Sequence, residues 1–126
     1  MEKDAISPFK GKTGVRRVVN AATYSWDGLK AAWAYESAFR QVCLLAGAGV
    51  GLMFWLPLPA LARGLLVLAH LFSLVVELIN SAIEAAVDHT SMAEHPLAKR
   101  AKDLGSAAQL VSLLAIGGVW LLMLLA

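Results

Sequence analysis

Apolar residues run along this chain in three long blocks, preceded by a shorter segment in which they recur at spacings of three and four. In that first segment Val15, Val18, Val19, Ala22, Trp26, Leu29 and Trp33 fall on one helical face. Arg16, Arg17, Asn20, Asp27 and Lys30 occupy its flanks and back. The pattern predicts an amphipathic helix over about 14–36. With basic residues on one side and tryptophans on the other, it suits the membrane interface, although the same pattern would serve a helix packed on a soluble partner. The three apolar blocks predict spans over about 39–60, 62–88 and 100–124. Each is long enough, at about 1.5 Å per residue, to cross a hydrocarbon core of about 30 Å. Pro57 and Pro59 break the pattern between the first two spans, which predicts a short hairpin and antiparallel neighbours.

The second span does not read as a plain anchor. His70, Ser73, Glu77, Asn80, Glu84 and Asp88 align in one stripe at about 100° per residue, while the other faces are Leu, Ile, Val and Ala. A charged side chain near the bilayer centre costs roughly 3 kcal/mol on insertion scales. Two glutamates therefore mark a polar stripe turned toward protein, and a candidate site.

Composition agrees with the spans. The 126 residues are 59% hydrophobic and 16% charged, against about 25% charged in ordinary soluble domains; the mean hydropathy is +0.66. The expected fold class is all-α and integral to the membrane: an interfacial helix plus three transmembrane helices in one domain over 13–126, after a flexible N-terminus over 1–12. No apolar run follows the basic residues of the N-terminus, so a cleavable leader is not expected. Cys43, the one cysteine, reads as packing. Gly47, Gly49 and Gly51 permit close helix approach in the first span, and Gly105 with its small neighbours does so at the start of the third.

The net charge of +2 is unevenly spread. Lys3, Lys10, Lys12, Arg16, Arg17, Lys30 and Arg40 precede or open the first span; Lys99, Arg100 and Lys102 lie between the second and third; Arg63 alone marks the hairpin. The positive-inside rule then puts the N-terminus and the second loop in the cytoplasm and the C-terminus on the far side. Phe54, Trp55 and Trp120 suit either aromatic belts or packing.

Glu77 and Glu84 are two turns apart, about 10 Å along the axis, with Asp88 beyond and Glu36 approaching at similar depth. A few carboxylates facing a cytoplasmic entry are what Mg²⁺ with a nucleotide requires, phosphate and water completing the octahedron. Lys102, Arg17 and Arg100 are available to neutralise phosphates, and Glu77, the deeper acid, to act as general base toward a hydroxyl. That set describes phosphoryl transfer at a membrane surface. Blander roles exist for the same residues. Asn80 could be an interhelical hydrogen bond, Lys102 with Asp103 a surface pair, His70 a packed histidine, and His89 and His95 ordinary loop residues. The stripe as a whole could carry protons or ions. Gly11-Lys12-Thr13 is not a phosphate loop, because the required first glycine would fall at Ile6 and Pro8 interrupts it.

Four blocks together resemble the prokaryotic diacylglycerol kinases: YSWDGLKAAW from Tyr24, ESAFRQ from Glu36, ELINSAIEAAVD from Glu77 and RAKDLGSAA from Arg100. The resemblance covers about residues 9 to 126. It implies a homotrimer in the bacterial inner membrane, with ATP as phosphoryl donor, Mg²⁺ as cofactor and no nucleic-acid partner. The acceptor would be diacylglycerol or a related lipid alcohol, undecaprenol being the alternative within the family. It makes Glu77 the catalytic base, Glu36 and Glu84 the metal-associated carboxylates, and Arg17, Tyr24, Ala93, Glu94, His95, Lys102 and Asp103 nucleotide contacts beside them. For the lipid it implies Arg17, Ala21, Ala22, Thr23, Tyr24, Ser25, Trp26, Lys30, Ala31, Ala32 and Trp33. Further along come Ala38, Phe39, Arg40, Gln41, Val42, Trp55, Arg63, Glu77, Asn80, Ser106 and Trp120. Val42 and Asn20 depart from members that carry an acid and a lysine there.

Overall fold

The computed structural model describes residues 13–126, so the expectation of a flexible segment over 1–12 lies outside the described residues. Four helices follow in order: α1 Gly14–Tyr35, α2 Ser37–Trp55, α3 Ala60–Thr90 and α4 Pro96–Leu125. No strand occurs among the described residues. The chain divides into two compact units, residues 1–31 and 32–126.

In the first unit Gly14 enters α1 at φ +71°, a conformation that favours glycine. The Val15, Val18 and Trp26 side chains are exposed. Thr23 and Ser25 donate their hydroxyls back to the carbonyls of Val19 (3.1 Å) and Ala21 (2.8 Å), and Lys30 pairs with Asp27 at 3.1 Å.

The second unit is an α2–α3–α4 bundle in which α3 packs against both neighbours. All three helices are long and apolar enough to cross a membrane. Their outward leucines, among them Leu44, Leu61, Leu68, Leu110 and Leu122, are exposed, a surface that suits lipid and not water. The inward face of α3 is Ala62, Leu66, His70, Ser73, Glu77 and Asn80, all buried. The stripe read from the sequence is therefore the bundle interior.

Helix ends differ from the periodicity in instructive ways. α1 stops at Tyr35 because Glu36 leaves the helix at φ −113°, ψ 100°, and becomes the residue before α2. Its carboxylate does not cap that helix, although Asp, Asn, Ser or Thr there would normally do so. Instead Arg40 closes the break, donating from Nη1 to the carbonyls of Trp33 (2.7 Å) and Ala34 (3.4 Å). α2 ends at Trp55, five residues before the expected 60, since Pro57 biases Leu56 to extended backbone (φ −97°, ψ 144°). α4 begins at Pro96, four residues before the expected 100. Pro96 occupies the first turn, where its missing N–H costs nothing, and His95 Nδ1 accepts the Leu97 amide at 3.1 Å.

Candidate active site

The polar interior is built in layers along α3. At the deepest, His70 is 2% exposed; its Nε2 accepts the Trp120 indole N–H at 3.1 Å, and its ring lies over Gly49. His70 is thus a packed histidine, and Trp120 packs in the interior at least as much as it faces a belt. Of the three α2 glycines only Gly49 makes a close approach; Gly47 and Gly51 meet nothing within 4 Å.

One turn on, Ser73 meets two α4 residues. Ser73 Oγ donates to Gln109 Oε1 at 3.4 Å, Gln109 Nε2 donates to the Ser73 carbonyl at 3.4 Å, and Ser112 Oγ donates to Gln109 Oε1 at 2.5 Å. Then comes Glu77, 4% exposed. Gln109, Glu84 and Glu36 are its polar neighbours. Asn80 follows, donating from Nδ2 to Glu84 Oε1 at 3.4 Å within its own helix. Among the described residues it makes no interhelical hydrogen bond, and its Oδ1 is buried without a partner against Gly105 of α4. Glu84 and Asp88 are half-buried as α3 leaves the bundle.

Beyond them the 91–95 loop and the start of α4 enclose a cleft of about 720 Å³. It is lined by Asp88, Ala93, Glu94, His95 and Lys102, with Met92 and Lys99. Lys102 pairs with Asp88 at 2.5 Å and Lys99 with Asp103 at 2.5 Å. Lys102 and Asp103 are therefore not each other's partners, because adjacent residues on a helix point about 100° apart. The His95 cap has a chemical consequence: a ring whose Nδ1 accepts carries its hydrogen on Nε2, which leaves an N–H donor beside the cleft.

The second unit gathers Glu36, Glu77, Asn80 and Glu84 in one neighbourhood, with Ala93, Glu94, His95 and Lys102 around the cleft. Asp103 is exposed. Other candidates lie elsewhere. Ala32, Phe39 and Val42 are buried in the bundle, while Trp33, Ala38, Gln41 and Ser106 are exposed. Trp55 is exposed beside the hairpin, and Arg63 donates to the Leu56 carbonyl there at 3.3 Å. Arg63 is 14 residues before Glu77, about 21 Å along α3. Arg17, Ala21, Ala22, Thr23, Tyr24, Ser25, Trp26, Lys30 and Ala31 belong to the first unit, where all are exposed. Gln109 and Ser112 escaped the sequence reading because a search for charge passes over them. The signal was two polar residues three apart in an apolar span.

No group of three or more His, Cys, Asp or Glu fit to hold a metal ion occurs among the described residues. The donors available are hard oxygens, the half-buried carboxylates of Glu36 and Glu84. That set fits a cation sharing its coordination with phosphate and water, and not a cage made by protein alone.

A sequence model described as prokaryotic diacylglycerol kinase matches residues 23–124. The chain belongs to this family. The diacylglycerol kinase of Pseudomonas aeruginosa is 49% identical over 119 residues, covering 94% of this chain and 97% of that protein. That of Helicobacter pylori strain J99 is 50% identical over 113 residues, 90% and 88% of the two chains. That of Escherichia coli K12 is 43% identical over 112 residues, 89% and 92%. Membership of the diacylglycerol kinase family makes the chain a lipid kinase, and its three long apolar helices are those of a membrane protein.

Proposed function

We propose that the chain transfers the γ-phosphoryl group of ATP to the hydroxyl of diacylglycerol, giving phosphatidic acid, at the cytoplasmic face of the bacterial inner membrane. One observation carries the reading. Glu77 is a carboxylate 4% exposed inside an apolar bundle, on a face of α3 that runs on through Asn80 and Glu84 to Asp88, which lines a cleft together with Lys99 and Lys102. A buried base next to a cation-lined entry is what phosphoryl transfer to a membrane-borne alcohol needs.

In this reading the nucleotide enters the cleft, where Lys102 and the His95 Nε2–H meet phosphate oxygens and Ala93 and Glu94 border the nucleotide. Arg17, Tyr24 and Asp103 complete the proposed nucleotide contacts. Glu36 and Glu84 would hold Mg²⁺, which when bound neutralises charge on the phosphates. Glu77 accepts the proton of the lipid hydroxyl as that oxygen attacks phosphorus in line with the departing ADP oxygen. Burial serves the step: water is kept from the attacking position, so ATP is not wasted on hydrolysis.

We propose further that residues 13–126 act as a single kinase domain and assemble as a homotrimer with the N-terminus cytoplasmic. The positive charge before α2 and around α4's start supports the orientation. The exposed apolar faces of α2 to α4, with Gly47 and Gly51 left open, are compatible with neighbours of the same kind.

The test is transfer of labelled phosphate from ATP into lipid by the purified chain in mixed micelles, with diacylglycerol and undecaprenol in parallel. Diacylglycerol is expected to be labelled in preference. Glu77→Gln should abolish turnover while nucleotide binding is kept, and Glu84→Gln should weaken binding of Mg-ATP. Near-normal turnover by the Glu77 variant would remove that residue from the base role.

A further inference from the structure

The break between α1 and α2 leaves backbone groups that a continuous helix would pair. In an unbroken helix the carbonyls of Trp33 and Ala34 would accept the amides of Ser37 and Ala38, four residues on. Glu36 departs at φ −113°, ψ 100°, and those amides no longer reach them. Arg40 Nη1 replaces both, at 2.7 Å to the Trp33 carbonyl and 3.4 Å to that of Ala34. The fit is chemical as well as spatial. One guanidinium nitrogen carries two hydrogens in a fixed plane, one for each carbonyl, and its positive charge suits the carbonyl end of a helix. The chain on either side is anchored in the bundle: Ala32 is 6% exposed and Phe39 5%. The break is therefore held at both ends and across its middle.

What this clasp leaves free is the Glu36 carboxylate. Glu36 and Arg40 are four apart, the spacing at which an acid and a base pair along a helix. They do not pair here. Among the described residues the ion pairs are Lys30 with Asp27, Lys99 with Asp103 and Lys102 with Asp88. Nor does the carboxylate cap α2, although the residue stands where a side-chain oxygen ordinarily does so. Glu36 and Arg40 are both half-buried, and a guanidinium bound to the carboxylate would compete with a cation for the same oxygens. With Arg40 committed to the backbone, those oxygens stay open to one.

We infer that Arg40 is a positioning residue that clasps the α1–α2 break and so holds Glu36, its carboxylate unpaired, for the cation that accompanies the nucleotide. The inference rests on the reading of Glu36 as a metal-associated carboxylate. It gives Arg40 a different task from the lipid contact that the resemblance implies, and the two tasks move different quantities.

The experiment titrates Mn²⁺ into the purified full-length chain in mixed micelles with a non-hydrolysable ATP analogue. Free Mn²⁺ is read by electron paramagnetic resonance, so no turnover is needed. Arg40→Met should weaken Mn²⁺ binding roughly 10-fold, the scale on which groups that support a metal ligand act. Its KM for lipid in the labelling assay should not change. Arg40→Lys keeps the charge but offers two carbonyls a single ammonium, and should fall between the parent and Arg40→Met. On a Glu36→Gln background Arg40→Met should add no further loss, because the clasp acts through that carboxylate. A clasp that serves structure alone would weaken binding by the same factor on both backgrounds, and that additivity overturns the inference. A raised lipid KM with Mn²⁺ binding intact gives Arg40 to the lipid and overturns it too. If Arg40→Met does not fold, Arg40→Lys decides: Mn²⁺ binding equal to the parent's overturns it. A Glu36→Gln chain that binds Mn²⁺ as the parent does removes the reading of Glu36 and this inference together; a weakened Glu36→Gln beside an unaffected Arg40→Met removes only the latter.

Discussion

Gly105→Ala is a small change with two opposed consequences, and their balance can be worked from the packing of α4 on α3. Alanine in place of glycine inside a helix is worth about 1 kcal/mol in favour of the folded state. Against this, the new methyl would overlap Asn80 Oδ1, while the nearest α3 backbone atom, the α-carbon of Asn80, stays at an ordinary 3.8 Å. The helices therefore need not part; the amide must turn. Asn80 is buried and its Nδ2 is bonded to Glu84 Oε1 at 3.4 Å, so turning it breaks that bond and strains a packed side chain. Overpacking of this kind costs about 1–3 kcal/mol, which leaves a net loss of about 0–2 kcal/mol. The informative quantity is the coupling to Asn80→Ala, which empties the space the methyl needs. Gly105→Ala placed on an Asn80→Ala background should turn stabilising, with a coupling of about 1–3 kcal/mol. Reversible unfolding of the four chains in mixed micelles measures it. A coupling below about 0.5 kcal/mol would refute the contact between Gly105 and the Asn80 amide as the reason glycine stands there. Turnover gives a second readout, since the displaced amide is the one that reaches Glu84.

Two other perturbations follow from the same geometry. Gly49→Ala runs into the His70 ring and should destabilise by about 1–3 kcal/mol, relieved by His70→Ala; Gly47→Ala and Gly51→Ala, with nothing within 4 Å, should be neutral or stabilising within the chain, and the same unfolding assay compares all three. Lys102→Met removes the partner of Asp88 and one of the two lysines at the cleft, so KM for ATP should rise roughly tenfold, the loss of one charged hydrogen bond, with the lipid KM unchanged in the labelling assay.

Much of the fold was open to a reader of the sequence, because it depends on properties local to one segment. The α3 stripe is an example: His70, Ser73, Glu77 and Asn80 share a face whatever surrounds them, and the buried face of α3 is that stripe. Helix ends were less legible. His95 gives its ring to the Leu97 amide and starts α4 four residues early, a capping role that residue type alone does not announce. Glu36 leaves the helix without proline or glycine to mark the break, since the guanidinium of Arg40 takes the carbonyls that α1 gives up. Lys102 found Asp88 and not its neighbour Asp103, because sequence adjacency on a helix points side chains apart.

The amino-acid sequence by itself determined that three segments are long and apolar enough to cross a membrane and that one of them turns acids inward. Hydrophobic length and helical phase are decided residue by residue, before any helix meets another. Only the tertiary structure decided what each inward group faces: Trp120 and Gly49 for His70, Gln109 and Ser112 for Ser73, Gly105 for Asn80. Those pairings depend on how α4 crosses α3 and at what height, which is a property of two packed surfaces and is written in neither helix alone.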